Sequence, residues 1–344
     1  MAVPSTMRAW TFSAAGPPSS VLAFRTSFPP PSSPANSQLL VQISHAALSS
    51  AGLNLMHTVP SPFRRNAIPE IDFSGRVVAV GPSAPAKFAP GTPVFGTVSK
   101  SGSVLSGSGV LAEYILIEAD CVAVKPAAMR FAEAAGLGCL GQTALEMVRR
   151  GGVREGDRVL VHGGSGGVGS VAVQLVKALG GYVVATCSGT SLEFVKNLGA
   201  VDEVKPSRSV IDYTHFASLP SHIAEIFASQ PFDAVFDTVG SQSLYKASPR
   251  FLKADGLFVN VGSVEAKSQL IALGGVPRKY VMFSAPLSGR NAEELANYVE
   301  ENKLRIFLDS AFALEDVLEA YEYSAGRTTR GTVVVRIGDM DEAS

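Results

Sequence analysis

Arg158-Val-Leu-Val-His-Gly-Gly-Ser-Gly-Gly-Val-Gly-Ser170 joins a short apolar run, a glycine turn and the opening of a helix, in that order. Residues 158–162 have the continuous apolar character of a buried strand. Gly164, Gly166 and Gly169, with Ser165, Gly167 and Val168 between them, then give G-x-G-x-x-G. From Val168 to Leu179 the chain reads as a helix with small residues on its first turns. That order leaves backbone N–H groups at a helix N-terminus, where an anionic pyrophosphate is stabilised. Glycine spacing alone also fits a plain tight turn; the strand before it and the helix after it point to a dinucleotide.

Outward from this stretch, strands and helices alternate. Strands are expected at 158–163, 182–187, 233–237, 256–261 and 280–284, and helices at 168–179, 191–198, 221–229 and 243–252. Such alternation predicts a parallel, doubly wound sheet. Upstream the pattern differs. The first 130 residues are rich in Pro, Gly and Ser, with short β-type runs at 39–44, 75–80, 92–96 and 112–117 punctuated by Gly81-Pro82 and Pro90-Gly91. This half reads as an irregular, mostly antiparallel β domain, with a proline-rich loop at 28–37. After Arg290, helices at 292–302 and 314–323 and a strand at 331–337 either extend the α/β domain or return to the first.

Composition narrows the class. The formal net charge is −1 with only 17% charged residues, so nothing favours nucleic acid or an anionic membrane as partner. Cys121, Cys139 and Cys187 lie too far apart for a C-x-x-C metal site or a disulfide framework. No signal peptide and no run of about 18 apolar residues occurs, so a cytoplasmic protein is expected.

NAD-selective sites place an Asp or Glu about 20 residues past the glycine turn, on the ribose diol. Here the second strand ends in Ser188, Gly189, Thr190 and Ser191, with no carboxylate until Glu193. Hydroxyls leave room for a 2′-phosphate, with Lys196 as a distant counter-charge, so NADPH is the expected cofactor. Ser188 and Ser191 also suit a helix N-cap, and the two readings are compatible. Asp237-Thr-Val-Gly240 and Val261-Gly-Ser263 follow the ends of later strands, where ligands bind in open α/β sheets, or where glycines simply end strands.

Taken in order, Val41-x-Ile43, Asp72-Phe-Ser-Gly75-Arg-Val-Val-Ala-Val-Gly81, Gly91-x-x-Val94-Phe-Gly96, Ala112-Glu-Tyr114, Gln142-Thr-Ala144, the glycine turn, Leu198-Gly-Ala200, Ile211-Asp-Tyr213 and Arg330-Gly331-x-Val-Val-Val335 span nearly the whole chain. With these the sequence resembles the zinc-free medium-chain dehydrogenases/reductases, in the quinone oxidoreductase (zeta-crystallin-like) and enoyl reductase branch. The resemblance implies an α/β fold: a GroES-like β-rich catalytic domain (1–130 and 290–344) with an inserted Rossmann NADP-binding domain (131–289). It also implies a cleft-bound NADPH and a homodimer. By motif, Ser165, Gly166, Gly167 and Val168 would meet the pyrophosphate, and Ser188, Gly189, Thr190 and Ser191 the 2′-phosphate. Tyr213 would lie near the adenosine, and Thr143, Val239 and Gly262 near the nicotinamide.

Two departures stand out. The family's Asn-Pro-x-Asp motif is replaced by Leu48-Ser-Ser-Ala-Gly-Leu-Asn54, and the Lys of its terminal Gly-Lys-Val-Val by Thr332. Where the zinc branch has its Cys ligand and its Gly-His-Glu motif, this chain has Ser50 and Glu70-Ile-Asp72. His45 and His57, on either side of a Ser/Gly turn, do not complete the three convergent ligands that a catalytic zinc needs. No metal is therefore expected.

Without a Lewis acid, hydride addition to a quinone or an α,β-unsaturated carbonyl is easier than alcohol–carbonyl exchange, because the acceptor spreads its own charge. Ser50, Asn54 and His57 are the candidate donors. For His57 the plainer reading is a half-exposed surface side chain, and for Ser50 and Asn54 turn formation. The expected function is NADPH-dependent reduction of a small-molecule quinone or enone. The alternatives are a trans-acting enoyl reductase of a secondary-metabolite pathway and a nucleotide-binding redox-sensing or structural protein with little turnover.

Overall fold

The computed structural model describes residues 3–58, 65–99, 106–200, 209–262, 276–326, 329–338 and 340. The chain forms two compact units, Met1–Gln142 with Leu287–Ser344, and Thr143–Pro286.

The first unit is β-rich. Strands β1 (Met7–Phe12) and β2 (Leu22–Phe28), joined by the single-turn helix α1 (Pro18–Val21), pair antiparallel as a ribbon. The long strand β3 (Gln38–Ala47) is followed by helix α2 (Ser50–Thr58), then β4 (Asp72–Val80), β5 (Pro93–Thr97), β6 (Tyr114–Glu118) and β7 (Val122–Val124). Two helices follow, α3 (Phe131–Ala135) and α4 (Cys139–Gly151), the latter running into the second unit.

The second unit opens with β8 (Arg158–His162), α5 (Gly167–Ala178), β9 (Tyr182–Cys187), α6 (Leu192–Asn197) and β10 (Val210–Asp212). It continues with α7 (Leu219–Phe227), β11 (Phe232–Asp237), α8 (Gln242–Ala247), β12 (Leu252–Asn260) and β13 (Lys279–Met282). Its six strands lie in the order β10-β9-β8-β11-β12-β13, every pair parallel. The chain moves outward from β8 through β9 to β10, then restarts at β11 on the other side. With right-handed crossovers this puts the two sets of helices on opposite faces and a switch point at the β8–β11 boundary. A core of Leu160, Val184, Ile223, Phe227, Phe232, Val235, Phe251 and Phe258 closes one side of the sheet.

The chain then returns. After α9 (Gly289–Glu300), strand β14 (Leu308–Ala313), helix α10 (Val317–Ala325) and β15 (Thr332–Arg336) complete the first unit. β15 pairs antiparallel with β3, giving a seven-stranded sheet ordered β14-β15-β3-β4-β5-β7, with β6 also on β3. The C-terminal strand thus rejoins the first sheet and does not extend the second.

Three expectations need correction. The helix expected over 243–252 ends at Ala247, because Pro249, which lacks an N–H, turns the chain at Ser248–Arg250 and Leu252 already begins β12. Helix α10 starts at Val317, after a one-turn 3-10 helix at Leu314–Asp316. The Ser/Gly segment after Leu48 is not a turn but α2. Ser263 lies outside the described residues.

Strand β1 is tied to the returning C-terminal part of the first unit. The buried Trp10 Nε1–H donates to the Leu314 carbonyl at 2.6 Å, and Arg8 bonds Glu113 and Glu315. Trp10→Phe keeps the apolar ring but strands that buried carbonyl. A loss of about 1–3 kcal/mol is expected, read as a lower midpoint in denaturant unfolding.

Candidate functional site

The glycine turn sits at the carboxyl end of β8, and each glycine has its own steric reason. Gly163 has φ +85, and a Cβ there would lie 2.5 Å from Thr238 Oγ1. At Gly169 a Cβ would lie 2.1 Å from the Gly163 carbonyl oxygen, so only glycine lets helix α5 pass this close to the turn. Gly166 differs. Its backbone is extended, and a Cβ there would have only the Gly163 carbonyl oxygen within 4 Å, at 3.7 Å. Gly166 is the N-cap of α5 and no side chain caps that helix. Its first-turn N–H groups, on Gly167 and Val168, therefore face a cradle suited to an anion. Ser165 is half-buried in the same turn.

Two further strand ends are tied to this turn. Thr238 Oγ1 donates to the His162 carbonyl at 2.8 Å. The fully buried Asp237 accepts from the N–H groups of Val239, Gly240 and Ser241 at 3.0, 2.9 and 2.6 Å, fixing the loop after β11. Gly262 donates to Asn260 Oδ1, and a Cβ on it would come within 2.3 Å of Gly240 Cα, so the loops after β11 and β12 touch. Val239 is left 51% exposed beside this turn. The structure thus joins the glycine turn, Val239 and Gly262. Thr143 is half-buried on α4, a different element, and Tyr213 is exposed just beyond β10.

His162 was not singled out from the sequence. It is buried at the end of β8, with Nδ1 2.7 Å from Thr186 Oγ1, which also accepts the Gly163 N–H. Burial lowers its pKa, against the pull of Asp237, so the ring is held toward its neutral form.

Beyond β9, the hydroxyls of Ser188 and Thr190 lie 3.2 Å apart, and those of Ser188 and Ser191 3.5 Å. Neither serine caps the helix that follows it, so the capping reading fails. Lys196, the expected counter-charge, is ion-paired with Glu193 at 2.7 Å. Parallel pairing of β10 with β9 sets Asp212 opposite Cys187, and a Cβ on Gly189 would lie 2.4 Å from Asp212 Oδ2. A carboxylate therefore does approach this loop, from a strand that sequence spacing does not connect to it. Burial pushes the Asp212 carboxyl up, but hydrogen bonds from Thr214 and the nearby His215 outweigh this and hold it below the usual range.

In the other unit, α2 places Ser50, Asn54 and His57 four and three residues apart, on one face of the helix. Ser50 and His57 are exposed and Asn54 half-buried, whereas Gly52 and Met56 are buried on the far side. The sequence hides this helix because Ser-Ser-Ala-Gly has turn composition. Ser49 caps it, its Oγ accepting the Gly52 N–H at 3.0 Å.

Beneath the helix lie two buried carboxyls. Glu70 accepts from Tyr321 Oη at 2.7 Å and from the N–H and Oγ–H of Ser49 at 3.2 and 3.3 Å. Asp72 accepts from the Cys139 N–H and Thr97 Oγ1, both at 2.7 Å. Burial pushes Glu70 up to about 8, with Asp72 adding to it, and Asp72 up to about 7. Glu70 is thus committed through both oxygens, whereas Asp72 uses only Oδ1 and its buried Oδ2 has no hydrogen-bond partner; Ile71 stands between them. Among the described residues no three His, Cys, Asp or Glu side chains converge as metal ligands. This donor set does not fit the zinc site of the zinc branch. Thr332, the other departure, is buried at the start of β15.

Comparison with known proteins agrees with this arrangement. Residues 35–127 match the alcohol dehydrogenase GroES-like domain, and residues 207–335 the family described as zinc-binding dehydrogenase. The chain is 35% identical to the medium chain reductase pydE of an Acremonium species, over 97% of this chain and 99% of that one. It is 32% identical to the trans-enoyl reductase pgmF of Aspergillus terreus, over 99% of each. The quinone oxidoreductase of Coxiella burnetii superposes with a TM-score of 0.80 at 28% identity, covering 96% of this chain and 99% of that one. This protein is therefore an oxidoreductase of the medium-chain dehydrogenase/reductase family, with a GroES-like and a Rossmann domain, in the zinc-free branch that holds quinone oxidoreductases and enoyl reductases.

Proposed function

We propose that this protein reduces the conjugated double bond of an α,β-unsaturated carbonyl, or a quinone, with NADPH. The observation that carries the reading is the uncapped glycine turn beside a strand end of clustered hydroxyls. Ser165, Gly166, Gly167 and Val168 would hold the pyrophosphate at the N-terminus of α5. Ser188, Thr190 and Ser191 would donate to the 2′-phosphate, with Asp212 occupied by Thr214, His215 and the Gly189 N–H beneath the same loop. The exposed Val239, beside Gly262, offers an apolar platform for the nicotinamide, with Thr143 as a further contact. Tyr213 would flank the adenosine.

The dinucleotide, when bound, supplies the hydride. The protein supplies position and hydrogen bonds. With no metal-ligand set among the described residues, negative charge growing on the acceptor oxygen would be spread by conjugation and met by hydrogen-bond donors. Ser50, Asn54 and His57 present a hydroxyl, an amide and an imidazole on one face of α2, the kind of surface that can hold an enolate oxygen. The relative named as a trans-enoyl reductase, matched over almost its whole length, favours an enoyl thioester as a second acceptor class.

NADPH oxidation against simple quinones, cyclic enones and enoyl thioesters tests this reading. Turnover with at least one of these classes is expected. Stoichiometric NADPH binding with no oxidation across the panel would instead mark a nucleotide-binding protein. At Gly166 an added Cβ makes only an ordinary contact with the Gly163 carbonyl, so Gly166→Val should fold while its side chain fills the cradle. Its melting temperature should stay unchanged while NADPH binding is lost, and retained affinity would refute the pyrophosphate assignment. Ser188→Asp sets a carboxylate against the 2′-phosphate, and the NADPH-to-NADH ratio of kcat/KM should fall by about ten-fold or more. An unchanged ratio would detach the hydroxyl cluster from the phosphate.

A further inference from the structure

Glu70 is an anomaly by every local measure. Its φ is +64, in the left-handed region that suits glycine, and it stands where the zinc branch's Gly-His-Glu motif has its glycine. It is completely buried, although glutamate is among the residues least often buried. Something must hold it there.

Its contacts identify what it does. In a capping box, a helix that begins with a capping serine completes its cap with a Glu or Gln at the third helical position, whose side chain accepts the N–H of the capping residue. In α2 that third position is Gly52, which has no side chain to offer. The missing acceptor comes from 21 residues downstream: Glu70 Oε2 takes both the N–H and the hydroxyl of Ser49. Gly52 is required for this, since a Cβ there would lie 1.9 Å from Glu70 Oε2. The other oxygen, Oε1, accepts from Tyr321 Oη on α10, which is itself buried. One side chain therefore completes the cap of α2 and ties that cap to the helix returning from the C-terminal part of the chain.

We infer that Glu70 is the positioning residue for α2, fixing the start of the helix and so the placement of Ser50, Asn54 and His57 toward the acceptor. This rests on the reading of that helix face as the acceptor-binding surface. Glu70 itself touches no substrate; it acts through Ser49. Its neutral form suits the task as well as its ionised form, because a carboxyl or carboxamide can accept from Ser49 with one atom and donate to Tyr321 Oη with the other. Burial, which pushes the group up to about 8, favours that neutral form near pH 7.

The test compares Glu70→Gly with Glu70→Gln. Glycine accepts the backbone conformation, so Glu70→Gly should fold; glutamine preserves the anchor. For Glu70→Gly we expect an unchanged Kd for NADPH, about a 10- to 100-fold loss in kcat/KM for an enone or quinone, and faster amide exchange confined to residues 53–57. Glu70→Gln should recover most of the rate and the slow exchange. A folded Glu70→Gly protein with unaltered kcat/KM overturns the inference. So does a loss that glutamine does not rescue and that NADPH affinity shares, which would mark a merely structural residue. If the parent protein turns over no acceptor, the proposed function fails on its own account. Amide exchange then decides the anchor, and unchanged exchange in Glu70→Gly refutes it.

Discussion

The close pass of α5 over the turn that feeds it is the constraint on which the dinucleotide-binding unit depends. Gly169 lets the helix backbone pack against the Gly163 carbonyl, and Gly163 takes the positive φ that turns the chain back. Once that pass is made, β8 lies at the centre of a parallel sheet with β9 on one side and β11 on the other. Parallel register then does the rest. His162 stands opposite Thr186 and Asp237, and Asp237 opposite Asn260, so four strands end at one level. Their described loops are tied together through Thr238, Asp237 and the Gly240–Gly262 contact.

The β-rich unit is organised by a different constraint, the return of the chain. β15 pairs with β3 through Val334↔Ala47 and Val335↔Ala46, so one sheet needs both ends of the sequence. Side chains repeat the logic: Trp10 with Leu314, Arg8 with Glu315, and Glu70 with Tyr321 all join early residues to late ones. A long insertion between the two halves costs little loop-closure entropy beyond that of a shorter one. That is why a whole α/β unit can be carried inside a β domain.

What was legible in the sequence was local. The run 158–178 carries its strand, turn and helix in consecutive residues, and the strand at 182–187 was placed with its observed ends. What was not legible depends on partners far along the chain. Helix α2 looks like a turn because its cap is completed by Glu70. Asp212 approaches Gly189 only because β10 pairs with β9. His162 looks like one more strand residue until Thr186 is brought beside it. The hydroxyls of Ser188 and Ser191 read equally as caps and as contacts, and only geometry separates the two, since neither accepts from the helix that follows. The direction of the last strand was open for the same reason: its pattern fits either sheet, and pairing alone decides.

The altered segment Leu48–Asn54 and the buried Glu70 then take on a common sense. Replacing a ligand-bearing segment with Ser-Ser-Ala-Gly removes side chains that would grip a metal or a cofactor from α2, and leaves a helix with Ser50, Asn54 and His57 on one face. Such a helix needs another support, because a glycine in its first turn weakens it and its own sequence does not complete the cap. A glutamate at a position built for glycine supplies that support at the expense of backbone strain, which persists only where the surroundings over-determine it. Strain of this kind is not retained by a surface loop of no consequence. On the proposed reading of α2 as the acceptor-binding surface, the placement of its few hydrogen-bond donors is most of what the protein contributes to the acceptor where no Lewis acid does so.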